Sequence, residues 1–186
     1  MDLITDSVYE EIHSRINLHH SLYPSIKINS LHWEYILVES LKKQYKNVEW
    51  DVGSHKIGTD VICENIKISC KGGKFLGGKR SKKKLKISSH RTTSHKTLNE
   101  KLDFLSQSHE DIIYSLSKYN TGYTLTIFKP VNPKEFTWEK TNTGWKGVDI
   151  YENRLDIIKA ASDQYWMTLL YDSLEKQTYD FTISKR

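Results

Sequence analysis

The segment 58–71 constrains the fold of this chain most strongly, because it reads as two short strands joined by a tight turn at Glu64-Asn65. In that register Asp60 lies opposite Ser69, and Ser69 shares a face with Lys71 because strand side chains alternate. The other face of the hairpin is apolar throughout: Val61, Cys63, Ile66, Ile68 and Cys70. We therefore expect one face to be buried, while the other gathers an acid, a hydroxyl and a lysine.

The remainder of the chain predicts a mixture of helices and strands. Helices are predicted at 2–19, at 31–45 with Ser30 as N-cap, and at 98–106 with Thr97 as N-cap. Strands are predicted at 48–52, 85–88, 112–118, 123–129 and 179–184. A hairpin is predicted over 136–150 and two further strands within 155–170. Residues 72–78 are predicted to form a glycine-rich loop. Two helices, a mixed sheet and a later crossover helix predict an α/β or α+β domain.

Length and composition favour a single cytoplasmic domain. A chain of 186 residues is one domain, or one domain with a small appendage. No run approaches about 18 apolar residues, and the N-terminus has no signal-peptide pattern, so no membrane partner is expected. Cys63 and Cys70 both fall on the apolar face of the hairpin, where they read as reduced core thiols rather than as a disulfide or metal site.

Charge is distributed unevenly along the chain. Residues 65–99 contain eleven Lys or Arg and no Asp or Glu, which leaves 17 of the 28 basic residues against all 23 acidic residues elsewhere. Such asymmetry is typical of a polyanion site. The ordinary alternative is a solvated lysine-rich loop. Because the run directly follows the hairpin with Asp60 and Lys71, the polyanion interpretation is favoured.

Three glutamates are candidates for a further acid beside the hairpin. Glu34 falls near the middle of the apolar arc of the helix 31–45, where a carboxylate is costly unless it is paired, holds a metal or reaches water. The arc consists of Leu31, Leu37, Val38, Leu41 and Tyr45, with Trp33 at its edge. Glu39 lies outside this arc and reads as a surface acid, whereas Glu64 sits at the hairpin turn, far from Lys71.

These residue types suit metal-dependent phosphodiester hydrolysis. That chemistry needs a divalent ion on hard oxygen ligands, an activated water, and a cation beside the developing charge. Asp60 is the first candidate ligand, the carbonyl oxygen of Cys70 the second and Glu34 the third, with Lys71 orienting the water. The purely structural alternative is a cross-strand ion pair between Asp60 and Lys71 worth about 0.2–1 kcal/mol.

Several segments together resemble the core of the PD-(D/E)xK nucleases, a family that includes type II restriction endonucleases and archaeal Holliday-junction resolvases. They are the helix with Glu34, the strand 48–52 with Gly53-Ser54, Gly58-Thr59-Asp60-Val61 and Ile68-Ser69-Cys70-Lys71. The run Glu34-x-x-Leu37-Val38-x-x-Leu41 is similar to the resolvases' first helix, whose glutamate reaches the active site. The resemblance implies a restriction-endonuclease-like mixed β-sheet core flanked by helices over residues 30–130, with a β-rich extension over 131–186. It also implies Mg²⁺ (or Mn²⁺) as cofactor.

Beyond this core, the length of the chain and its Ser69-Cys70-Lys71 signature resemble the small catalytic subunits of heterodimeric type IIS restriction endonucleases. In such a system the larger subunit recognises the DNA sequence and nicks by itself, so the resemblance implies a recognition partner. Two positions depart from the motif: Thr59 replaces its proline, and Ser69 replaces its second acid. A serine hydroxyl is a weaker metal ligand than a carboxylate. Glu34 is therefore favoured over Glu64 to supply the missing charge.

The basic segment fits double-stranded DNA as substrate, since phosphate contacts are made mainly by such side chains. The candidate DNA-binding residues are Lys74, Lys79, Arg80, Lys82, Lys83, Lys84, Lys86 and Arg91. Two alternatives remain open at this point. One is a self-sufficient homodimeric nuclease or junction resolvase, and the other is a non-catalytic DNA-binding protein.

Overall fold

The computed structural model describes residues 3–50, 59–77, 82–107 and 111–184, which form three α-helices and eleven β-strands. The helices are α1 (Asp6–Leu22), α2 (Ser30–Leu41) and α3 (Leu98–Ser106). The strands are β1 (Val48–Trp50), β2 (Val61–Cys63), β3 (Ile66–Leu76), β4 (Lys84–Arg91), β5 (Ile112–Tyr119), β6 (Gly122–Phe128), β7 (Thr137–Thr141), β8 (Gly144–Val148), β9 (Arg154–Ile158), β10 (Gln164–Leu170) and β11 (Gln177–Thr182).

Side-chain caps decide where the helices begin. The hydroxyl of Thr5 accepts the N–H of Val8, so α1 begins at Asp6 rather than at residue 2. The cap of α2 is Asn29 rather than the predicted Ser30, because the Asn29 side chain accepts the N–H of His32 at 2.9 Å. That helix also ends at Leu41, four residues earlier than predicted. The predicted cap and bounds of α3 are confirmed, since Thr97 and Glu100 form a capping box.

All described strands join one mixed sheet, in the order β11-β6-β5-β3-β4-β10-β9-β8-β7, with β1 and β2 attached beside β3. Strand β3 pairs in parallel with β5 and antiparallel with β2 and β4. The C-terminal strands extend this same sheet, because β10 pairs with β4 and β11 pairs with β6. The predicted α+β class is confirmed as a large mixed sheet flanked by three helices.

The glycine-rich loop predicted over 72–78 is wrong for residues 72–76, which belong to β3. Gly73 pairs with Ile87 on one side and with Ser117 on the other. A Cβ atom at Gly73 would collide with the hydroxyls of Ser115 and Ser117, so the glycine allows close packing of the sheet face here. Strand β4 is also longer than the predicted 85–88, because its partner strands continue beyond those residues.

The other strand predictions are confirmed within a few residues, except that the end of the predicted strand 48–52 and the start of the predicted hairpin 58–71 fall on residues 51–58, outside the described residues. Hairpins β5–β6 and β7–β8 turn at the predicted 120–122 and 142–144, and segment 155–170 forms two strands, β9 and β10. Strand β11 begins and ends two residues before the predicted 179–184. The Asn and Gly residues at the turns of hairpins β5–β6 and β7–β8 allowed both hairpins to be predicted from the sequence.

Two buried clusters lie on opposite faces of the sheet. Helices α1 and α2 pack on the face that carries Ile68 and Cys70, here called the α1/α2 face. Helix α3 packs with β4, β9 and β10 in the second cluster. Cys63 and Cys70 are both buried free thiols, as predicted. Within the described ranges, no helix combines the length and apolar character that crossing a membrane requires.

Candidate functional site

The predicted hairpin register is confirmed in β2 and β3. Val61 pairs with Ile68 and Cys63 with Ile66, while Glu64 and Asn65 adopt the left-handed conformation that a tight turn requires. The N–H of Asp60 donates to the carbonyl of Ile68 at 2.9 Å. This hydrogen bond continues the ladder by one residue beyond β2 and brings Asp60 opposite the middle of β3.

Strand β3 changes partners at this point. On the side away from β5, β2 pairs with β3 as far as Ile68, and β4 begins to pair only at Gly73. On its other side β3 stays paired with β5 throughout, from Ile68 to Gly73. The sheet therefore opens along residues 69–72 of β3, a stretch that we call the fork.

The carboxylate of Asp60 occupies the fork. Its Oδ2 accepts the backbone N–H of Cys70 at 2.7 Å and the hydroxyl of Ser69 at 3.2 Å, and it lies 3.5 Å from Nζ of Lys71. The side chains of Asp60 and Lys71 are 27% and 15% exposed, whereas Ser69 is fully buried. Within the described residues these donors all use Oδ2, which leaves Oδ1 as the oxygen available to a ligand.

Glu34 on α2 lies near enough to the fork for its carboxyl group to interact electrostatically with Asp60 and Lys71, and its role as the third ligand stays a prediction. Burial raises the pKa of its carboxyl group, and the negative charge of Asp60 raises it further. The indole N–H of Trp50 and the ammonium of Lys71 act in the opposite direction on the same pKa. These electrostatic interactions indicate that Glu34 lies near Asp60 and Lys71.

The apolar arc predicted for α2 is partly wrong. Leu31 is 53% exposed and does not belong to the core, whereas Ile36 is buried. Glu34 is half-buried at the margin of the helix's packed face rather than at its middle. The difference arises because α2 packs mainly through the side that carries Trp33, Leu37 and Val38.

Cys70 lies among these charges. Burial raises the pKa of its thiol well above the ordinary value, the charges of Asp60 and Glu34 raise it further, and Lys71 opposes them. A thiol in this environment stays protonated and unreactive. The carbonyl of Cys70 leaves the strand on the same side as its N–H, as in any strand residue, and therefore points toward the fork.

Hard oxygen atoms at the fork suit a divalent cation such as Mg²⁺ or Mn²⁺. Within the described ranges no cluster of three or more His, Cys, Asp or Glu side chains forms a metal site. The candidate set is smaller: the carboxylates of Glu34 and Asp60 and the carbonyl of Cys70. One or two carboxylates with bound water are typical of Mg²⁺ sites, and the repulsion between Glu34 and Asp60 is what a cation would relieve.

The two remaining glutamates have other partners. Glu39 forms an ion pair with Lys42 at 3.1 Å on the surface of α2. Glu64 accepts hydrogen bonds from the backbone and side chain of Asn47 at 3.2 and 3.3 Å, which ties the hairpin turn to the segment before β1. Neither carboxylate is directed at the fork.

The predicted DNA-binding residues do not form one continuous run. Lys74, Lys84 and Lys86 lie on the α1/α2 face of β3 and β4 by their register. Lys82 instead bonds to Thr124 at 2.9 Å and to Asp180 at 3.1 Å, and its ammonium lies 4.5 Å from the ring centre of Tyr119. Lys83 and Arg91 are exposed beside β4 and at its end. Lys79 and Arg80 lie outside the described residues.

Sequence reasoning missed four residues beside the site. Trp50 was predicted only as part of a strand, although its indole N–H lowers the pKa of the Glu34 carboxyl group. Lys27, Lys118 and Trp166 line the sheet surface next to the fork. The alternation of β5 could have identified Lys118, but no local signal marks Lys27.

Comparisons with family models, curated proteins and solved structures gave no match.

Proposed function

We propose that this chain is a metal-dependent DNA endonuclease subunit with a restriction-endonuclease-like core. The observation that carries the proposal is the convergence of Asp60, Lys71 and Glu34 on an opening in the sheet. An isolated ion pair would not need a third charged group held beside it against the cost of burial. A site that binds a cation and a phosphate would need all three.

Each residue has a distinct role in the proposed reaction. Asp60, Glu34 and the carbonyl of Cys70 would hold the metal ion, which supplies the charge that lowers the pKa of a bound water. Lys71 is 3.5 Å from Asp60 and can also donate to a phosphate oxygen or to the attacking water. The hydroxyl of Ser69, together with the N–H of Cys70, fixes the rotamer of the Asp60 carboxylate.

We further propose that a larger partner subunit supplies sequence recognition and that each subunit cuts one strand. Two observations support a partner. The described residues belong to one sheet and its helices, and no separate recognition module is found among them. In addition, exposed apolar side chains line a groove between α1 and α2: Leu18, Leu22, Leu31 and Tyr35. A partner subunit could cover these side chains by packing into the groove.

A cleavage assay tests the proposal. Supercoiled DNA with Mg²⁺ should be nicked by a mixture of the wild-type chain and its candidate larger subunit, and only weakly by the chain alone. The variants Asp60→Asn and Lys71→Ala should remove the cut made by this subunit while leaving the partner's nick. Binding of Mn²⁺ should raise the melting temperature of the wild-type chain but not that of Asp60→Asn, because ligand binding to the folded state stabilises it.

Two outcomes would replace the proposal with another function. Site-directed double-strand cleavage by the purified chain alone would indicate a self-sufficient homodimeric nuclease or junction resolvase. DNA binding without metal-dependent cutting in any mixture, and unchanged in Asp60→Asn, would indicate a non-catalytic DNA-binding protein.

A further inference from the structure

Beside the fork, the α1/α2 face of the sheet carries lysines that are not covered by the two helices. Lys74 on β3 pairs directly with Lys86 on β4. Leu76 pairs with Lys84, which places Lys84 on the same face two residues further along. Lys118 on β5 follows Leu116, a residue of that face, by two positions. Alternation therefore brings lysines from three adjacent strands to one surface.

Like charges directly opposite each other on paired strands are destabilising. Even so, the ion pairs found among the described residues involve none of these lysines, nor Lys27 beside them. In contrast, Lys82 and Lys101 are each paired with an aspartate. An arrangement with this electrostatic cost is expected where a polyanion binds, since bound phosphates remove the repulsion.

Two cavities on this face meet at the same three residues of β3. One, of about 980 Å³, is lined by Lys27, Lys74 and Lys118, and the other, of about 370 Å³, by Lys74, Lys86 and Trp166. Both include Gly72 and Gly73, so the two cavities adjoin and are taken together as one groove. We call it the lysine groove.

Gly72 forms the lowest part of this groove and directly follows Lys71. A Cβ atom at Gly72 would meet only the hydroxyl of Ser30, at an ordinary 3.5 Å. The surface above Gly72 is therefore open, and an incoming group can approach the backbone closely. It is also the last residue of the fork and directly follows Lys71, whose side chain leaves the opposite face of β3.

We propose that the lysine groove binds the phosphate backbone of one DNA strand, which crosses β3 at Gly72 and continues in both directions. Lys27 and Lys118 contact the DNA strand on the β5 side of β3 and Lys86 contacts it on the β4 side, with Lys74 of β3 between them. This inference rests on the proposed function for its substrate, but it concerns binding alone. It assigns roles to Lys27 and Lys118, which the sequence did not indicate.

Trp166 supports the position of Lys86. The ammonium group of Lys86 lies 4.9 Å from the ring centre of Trp166, within the range of a cation–π interaction. Trp166 is half-buried in β10 opposite Ser88, so its ring is held by the sheet. We assign Trp166 as a positioning residue that keeps Lys86 directed into the groove.

The test measures binding of the full chain to a labelled DNA duplex without Mg²⁺, so that no cleavage is required. Lys74→Gln/Lys86→Gln and Lys27→Gln/Lys118→Gln are compared with the wild-type chain over a range of salt starting at about 50 mM. Each double variant should lower the slope of log affinity against log salt by about 1.8, at about 0.9 for each lost phosphate contact. Trp166→Leu should weaken binding only while Lys86 is present.

The matched control is Lys140→Gln/Lys159→Gln, which removes the same charge from exposed positions on β7 and in the turn between β9 and β10, neither of which lines the groove. Its salt slope should equal that of the wild-type chain. Equal slopes for all three double variants, or no binding by the wild-type chain at about 50 mM salt, would overturn the groove. Failure of the nuclease proposal would give a different result. The groove variants would still bind DNA more weakly than the wild-type chain, but no mixture with a partner would cut DNA.

Discussion

The backbone N–H of Cys70 donates to the carboxylate of Asp60 at 2.7 Å, the shortest of the contacts that hold this acid. In an intact sheet that N–H would bond to a neighbouring strand, but at the fork a side chain takes the place of the strand. The carboxylate is thus part of the sheet's hydrogen-bonding pattern and is also the first proposed metal ligand. Asp60 therefore contributes both to the stability of the fold and to the proposed catalysis.

Substitution of Asp60 should separate these two roles. Asp60→Asn keeps a side-chain oxygen that can accept the N–H of Cys70, so the fold should lose little stability. Asp60→Ala leaves that N–H and the hydroxyl of buried Ser69 without an acceptor, which should cost about 1–3 kcal/mol. Thermal unfolding of both variants tests this difference. Equal melting temperatures for the two variants would show that Asp60 does not support the fork.

Both variants should nevertheless lose metal-dependent cleavage. Each removes the charge that the proposed ion requires, and a loss of at least about 10²-fold is expected from one electrostatic group at an active site. Single-turnover cleavage with the candidate partner present measures this loss. Full activity in Asp60→Asn would remove Asp60 from the catalytic assignment.

Glu34→Gln should stabilise the folded chain at neutral pH. The folded state raises the pKa of this carboxyl group above 4.5, through burial and the nearby charge of Asp60. The folded state therefore binds the proton more tightly, and the wild-type chain loses stability as pH rises from about 4.5 through the folded-state pKa. The variant should melt above the wild-type chain at about pH 8 and near it at about pH 4.

The size of the effect can be read from the melting temperature, since about 1 kcal/mol corresponds to roughly 2–4 °C at this chain length. Glu39→Gln on the same helix is the control, because Glu39 pairs with Lys42 in solvent. The control should not gain stability at either pH. A gain of equal size in both variants would mean that removal of any helix charge explains the result.

Adjacent glycines of β3 should respond differently to a methyl group. Gly73→Ala would drive its Cβ into the hydroxyls of Ser115 and Ser117, and overpacking of this kind typically costs about 1–3 kcal/mol. Gly72→Ala meets only Ser30 at 3.5 Å and should cost much less. Chemical denaturation of the two variants measures the difference. Equal destabilisation would contradict the continuous packing of β3 against β5.

Both cysteines should resist thiol reagents in the folded chain. Burial raises the pKa of Cys63 to about 11 and that of Cys70 well above its ordinary value, so little thiolate forms at neutral pH. Reaction with a disulfide reagent should be slow in buffer and should reach two thiols per chain after unfolding. Rapid labelling of either cysteine in the folded chain would show that the hairpin opens readily.

The local pattern was sufficient for the hairpin and for most strands. The turn at Glu64-Asn65 and the alternation on either side predicted the register of β2 and β3, and through it the meeting of Asp60 with Ser69 and Lys71. The capping box at Thr97 likewise predicted α3 to the residue. These features depend on backbone geometry within a few residues, and local sequence patterns predict such geometry directly.

The sequence predicted the structure poorly where pairing with distant strands determines it. Residues 72–76 read as a flexible loop because they are rich in glycine, yet pairing with β4 and β5 makes them strand. The basic run read as one DNA-binding segment, but the sheet directs Lys82 to Asp180 and Lys86 to Trp166. Neither partner is near in sequence, so no local pattern reveals it.

The sequence by itself therefore determined the acid, the hydroxyl and the lysine of the hairpin, because period-two alternation fixes which side chains share a face. Only the tertiary structure decided where the sheet opens around them. The gap between the last residue paired with β2 and the first paired with β4 results from strands brought together across the chain. Hydrogen bonds between distant strands create that opening, and it is the opening that leaves the carboxylate of Asp60 beside Lys71 and near Glu34.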